Sequence, residues 1–228
     1  MRTAFQVLSV CLLVNVIPAA WANGGGGMSM PAMPATPREQ TPQQKAKDAY
    51  NDGVRYVKKA DKAQSAAMQA SDAGKKDQAA REAHDLYAKS LAKFQEAVQL
   101  DETLHEAWNY VGFTNRKLGN YDEALAAYDK ALALKPGYPD ALEYRGEAYL
   151  ALNRIADAQQ AYLDLYAGNR ALAGKLLAAM RSWVATQRAS PATSATGLDD
   201  LDKWIQERAQ IAGQTAALTR AGTAASWR

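Results

Sequence analysis

Displaced against itself by the step that carries Trp108 onto Leu142, the chain lays one segment on the next. Trp108, Val111, Gly112, Ala124, Tyr128 and Ala131 recur as Leu142, Arg145, Gly146, Ala158, Tyr162 and Leu165. A unit of about 34 residues cannot bury its apolar face alone, so copies must stack into one continuous core. Composition says what the units are made of. Ala is abundant, and the strand-favouring Val and Ile are sparse, which favours helices throughout. The spacing predicts helix–turn–helix units. Gly112 and Gly146 fall where a Cβ would push crossing helices apart, opposite the small Ala124 and Ala158. Trp108, Tyr128, Leu142 and Tyr162 are sized to fill the space between successive hairpins, with Ala131 beside them. Pro136 stops one helix and sets the turn to the next.

The run Gly119-Asn120-Tyr121-Asp122-Glu123-Ala124 is the turn inside one hairpin. With the pattern above, it resembles the tetratricopeptide-repeat (TPR) family, of a secreted bacterial type. The unit 105–138 departs from the family pattern at Asn115, where an aromatic is usual. The unit 139–172 regains an aromatic at Tyr149, but has Arg145 for an apolar residue and Arg170 for the closing Pro. The expectation is an all-α solenoid of about three helical hairpins plus a C-terminal helix.

The first hairpin, 44–104, is stretched. Ser90, Phe94 and Ala97 precede Ala124, Tyr128 and Ala131 by one repeat, whereas the matching glycine is Gly53, much further ahead of Gly112 than one repeat. The surplus, about 25 residues shared between two helices, would project about 18 Å at the helical rise. Gly74 is the expected turn and 71–77 the expected tip. Ala60, Ala63, Ala67, Met68 and Ala70 would face Ala79, Ala80, Ala83 and Leu86.

The ends read differently. Residues 1–22 have the form of a secretory signal: Arg2, an apolar stretch from Ala4 to Val16, then Ala20-Trp21-Ala22 for cleavage after Ala22. A single anchor helix is the alternative. Cys11, the only cysteine, lies within it, so the mature chain would hold none. A lipoprotein reading would acylate Cys11, but the apolar segment ahead of it is short. Residues 23–43 form a Gly/Pro/Met-rich tether, 173–188 a continuing helix, 189–197 a second linker, 198–220 the last helix and 221–228 a frayed tail. Leu198, Leu201, Trp204, Ile205 and Ile211 give that helix an apolar face for capping the array or filling its groove.

No motif for catalysis stands out. There is no phosphate-binding glycine loop, no nucleophile elbow, and only His84 and His105 as histidines. No enzyme activity, cofactor or metal is expected. A formal charge of +3, or +2 once Arg2 is removed, gives no footprint for nucleic acid, and no membrane span is expected after cleavage. The resemblance instead implies a concave face lined by first helices. Its groove positions are Glu106, Asn109, Phe113, Arg116 and Lys117, then Asp140, Glu143, Glu147, Leu150 and Ala151. The tail-binding clamp of some relatives is not implied, because Asn109 and Phe113 stand where those members carry Lys and Asn. The expected function is an interaction scaffold in the bacterial periplasm or envelope, holding a peptide or protein segment. The alternatives are a self-assembling structural protein, using the long hairpin and last helix to form a homo-oligomer, and metal handling by Met28, Met30 and Met33.

Overall fold

The computed structural model describes residues 40–190 and 197–225, with side chains placed as far as 217. The expected signal, most of the tether, linker residues 191–196 and the last three residues lie outside the described residues. The chain divides into Met1–Arg38 and a unit from Glu39 to Arg228, which holds all the described residues.

The described residues of that unit form a succession of eight helices: α1 (Pro42–Gln69), α2 (Ala73–Leu100), α3 (His105–Leu118), α4 (Tyr121–Leu134), α5 (Pro139–Ala151), α6 (Ile155–Gly168), α7 (Arg170–Ala189) and α8 (Leu198–Ala225). Among the described residues there is no strand. Helix α8 runs past the boundary at 220 expected from the sequence, as far as Ala225. The helices pair as α1 on α2, α3 on α4 and α5 on α6, with α3 on α2, α5 on α4 and α7 on both α5 and α6. This is the expected solenoid.

Local chemistry sets the ends of these helices. Thr41 and Gln44 form a reciprocal cap on α1: each backbone N–H donates to the other's side-chain oxygen, at 2.9 and 3.2 Å. Gly119 closes α3 at φ 86°, and Asn153, at the same place one repeat later, takes the same left-handed backbone at φ 56°. The turn of the long hairpin is not where the sequence reading put it. The loop is only Ala70, Ser71 and Asp72, because the Asp72 carboxylate accepts from Lys75 N–H at 2.9 Å and starts α2 there. Gly74 lies in the first turn of α2.

Both α1 and α2 have 28 residues, against 14 for α3 and for α4. The glycine notches locate the extra length. A Cβ on Gly53 would lie 2.7 Å from the Phe94 ring, and one on Gly112 would lie 2.5 Å from the Tyr128 ring. The two notches are therefore equivalent, and the added residues fall between notch and ring. The Ser90 hydroxyl, in the place of Ala124, donates to the Gly53 carbonyl at 3.0 Å. Gly146 differs from the expectation that it faces α6. The side chain that crowds it is Leu176 of α7. The seam of the projecting half is thin: Ala60, Ala63, Ala67 and Ala83 are buried, but Ala79 is only partly covered, and Ala80 and Met68 are exposed.

Helix α7 is a separate helix, broken from α6 at Asn169, whose side chain accepts from Leu172 N–H. Its Leu176, Met180 and Trp183 stand one repeat after Leu142, Gly146 and Tyr149. It thus opens a fourth unit. Leu201 and Ile205 of α8 are buried with Leu165, Leu176 and Met180, and the Trp204 ring meets Tyr162 edge-on at 5.2 Å. Arg188 ties the two helices together through Asp199 and Asp202, at 2.8 and 2.9 Å. Helix α8 closes the end of the array across α6 and α7.

Candidate functional site

The first helices of the hairpins bring the groove positions together. Arg116 of α3 and Glu147 of α5 form an ion pair at 2.5 Å. The guanidinium lies 5.6 Å from the Phe113 ring centre and 5.5 Å from that of Tyr144, within range of a cation–π attraction. Burial works against the Arg116 charge, but Glu147 and the surrounding phenols outweigh it and hold its pKa above the ordinary value. Beside the pair is a shallow hollow of about 310 Å³, lined by Arg116, Glu147, Leu150, Ala151, Trp183 and Thr186. Among the described residues, none of α8 lines it.

Several groove positions are less open than their register implied. Asn109, Phe113, Glu143 and Leu150 are buried. Phe113 is covered from the first hairpin by Tyr87 of α2, edge-on at 6.3 Å, and from its own helix by Tyr110 at 5.9 Å. Lys117 does not point freely into a groove. Its ammonium donates to Gln64 of α1 at 2.9 Å and sits 5.7 Å above the Tyr87 ring. Burial, and then the neighbouring Arg116 charge, lower its pKa. Glu106 is half-buried beside His105 at 3.1 Å. Asp140 and Glu147 are half-buried, and Ala151 is exposed. Burial, followed by the charge of Glu147, raises the pKa of Glu143.

The sequence reading missed two parts of this face. One is Trp183, whose register is hidden because Met180 stands in the glycine place of its unit. The other is the cover that Tyr87 gives Phe113, a contact between helices that no single periodicity encodes. A second depression, of about 560 Å³, lies under the hairpin tip between Ala67, Met68, Ala80, Ala83, Tyr87 and Lys117. Ala124, Tyr128, Ala131, Leu142, Ala158 and Tyr162 are buried, and Trp108 and Tyr149 are partly so. The Trp108 indole N–H donates to the Glu102 carbonyl at 2.9 Å, and Pro136 is exposed at the inter-hairpin turn.

The aromatic packing makes the fold sensitive to base. Burial, the leading cause at each, raises the phenols of Tyr50, Tyr87, Tyr110, Tyr128, Tyr138, Tyr144 and Tyr162, with Tyr50 pushed up to about 12. An unfolded chain releases these protons near pH 10. Their contribution to stability is therefore complete below about pH 10 and is lost as the pH rises through the raised values. Helical circular dichroism is expected to collapse in that window together with the appearance of tyrosinate absorbance. Tyrosinate forming while the helices persist would contradict this packing.

Among the described residues, no group of His, Cys, Asp and Glu is arranged to hold a metal ion. No described helix is long and apolar enough to cross a membrane. A TPR repeat family model matches residues 114–153. The uncharacterized protein ycf37 of Guillardia theta is 34% identical over 85 residues, which are 35% of this chain and 48% of that protein. The chain thus spans about half the length of that curated relative. A solved structure of a TPR2B-domain:pHsp70 complex of yeast Sti1 is similar at a TM-score of 0.40 and 18% identity, covering 72% of this chain and 98% of that one. The matched TPR repeat segment falls within the repeat register and the stacked hairpins α3 to α5.

Proposed function

We propose that the protein is a non-catalytic interaction scaffold that holds an extended peptide or protein segment across α3, α5 and α7. The observation that carries this reading is the uncovered hollow beside the Arg116–Glu147 pair. It combines a cation, a carboxylate, apolar Leu150 and a partly exposed Trp183 on rigid helices, the mixture that lets a surface bind an extended chain. Among the described residues, Leu201, Trp204 and Ile205 of α8 pack on α6 and α7 instead. The form of residues 1–22 suggests export, so the partner would be met in the periplasm or envelope of a bacterium.

A photo-crosslinking side chain placed at Ala151 or Thr186 in the full chain tests this in the native envelope. Both positions line the hollow, whereas Lys130 on α4 is exposed away from it. Adducts to one partner from 151 and 186, and none from 130, are expected, on a chain whose first residue is Asn23. Adducts from 130 alone would refute the groove.

A further inference from the structure

The floor of the concave face is rich in acidic groups: Asp140, Glu143 and Glu147 stand against Arg116 and the exposed Lys175. Asn109 is only 2% exposed, and its Oδ1 is buried without a hydrogen-bond partner. Glu143, at the same register one helix on, is 6% exposed and joins no ion pair or hydrogen bond among the described residues. Helices α3 and α5 pack on each other, so the two positions are neighbours in the stack. Asp140, half-buried one turn before Glu143, adds a further negative charge.

The charged groups that act on Glu143 come from three helices. From α5 they are Glu147 and Asp140, from α3 Arg116, and from α7 Lys175. Arg116 is already committed to Glu147, and Lys175 is exposed. Of the other bases on α3, Lys117 donates to Gln64 and His105 lies beside Glu106. A largely covered carboxylate short of positive charge is unfavourable, and so is a buried amide oxygen without a donor. A ligand that brings N–H donors and a positive charge would satisfy both.

We infer that Asn109, Asp140 and Glu143 form a subsite for a lysine or arginine side chain of the bound segment. This rests on the groove reading above and adds the chemistry that the groove selects. The segment lies along α3, α5 and α7, and its cation reaches down to Glu143 and Asp140 while donating to the Asn109 oxygen. Acid weakens the contact, because protonating Glu143 removes the charge that the cation needs.

The test uses fluorescent peptides of one extended alanine–proline backbone with a single central Lys, Arg, norleucine or Glu, titrated into the full chain. Lys and Arg peptides are expected to bind about tenfold tighter than norleucine, the change one charged hydrogen bond brings. Glu143→Gln should erase that gap. Without peptide, the same variant should melt no lower than the parent, because it removes an unmatched charge; a purely structural Glu143 would make it melt lower. Equal binding of Lys and norleucine peptides, unchanged by Glu143→Gln, overturns the cation subsite and leaves the groove standing. Failure of the Lys and Arg peptides to bind also overturns the subsite, while the groove stands or falls on the crosslinks at 151 and 186. Displacement of the Lys peptide by free spermidine at equal concentration would reassign the site to a polyamine.

Discussion

Replacing Phe94 by Ala is expected to lower the unfolding free energy by about 3–5 kcal/mol, the range for a buried aromatic cut back to a methyl group. The ring has no exposure. It fills the notch above Gly53, stacks on Tyr110 at 4.8 Å and meets Tyr50 at 5.7 Å. Three helices lose their common contact at once, and the neighbours cannot collapse into the space. Tyr110 is held by Phe113, and the α1 backbone is held by the Ser90 hydroxyl on the Gly53 carbonyl. The loss should also be local. Hydrogen exchange in α1 and α2 should accelerate well before that in α5 and α6. Urea unfolding followed by circular dichroism checks the magnitude. A loss below about 1 kcal/mol would mean that the joint is not built around this ring.

Ile205→Asp is the second large effect. Ile205 is fully buried, and Leu201 almost so, among Leu165, Leu176 and Met180. A carboxylate placed there has no cation to meet and would cost several kcal/mol if it stayed. Releasing α8 is the cheaper outcome. The released end of the array would then expose Leu165, Leu172, Leu176 and Leu177 as one apolar patch, and patches of that kind associate. Light scattering is expected to show a rise in mass with concentration, and limited proteolysis to cut within 190–225. An unchanged mass together with intact proteolytic resistance would show that α8 is not the cap.

How much of this is legible in the sequence depends on whether a feature is local. The notch of Gly53 and its ring at Phe94 can be found despite the inserted residues, because each keeps its own register with the next unit. The turn of the long hairpin is misplaced from sequence because Gly74 looks like a breaker, while Asp72 holds the stronger signal as an N-cap. Helix α7 passes for a continuation, since Met180 hides the glycine place that marks a unit. The groove is legible as positions but not as exposures. Whether Phe113 sees solvent depends on Tyr87, a residue of the preceding hairpin, and whether Lys117 is free depends on Gln64 of α1. Such facts belong to the stack and not to any one repeat.

The unequal helix lengths have a mechanical consequence. Paired helices of 28 residues beside a pair of 14 make a lever, with roughly half its length, about 20 Å, beyond the last neighbour that braces it. A sideways load at Ser71 acts on the Phe94 joint through that arm. The Lys117–Gln64 hydrogen bond and the Tyr87–Phe113 ring contact are the stays nearest the unsupported part. A body that grips the tip can therefore twist the first unit against the rest with a small force, provided those two stays let go first.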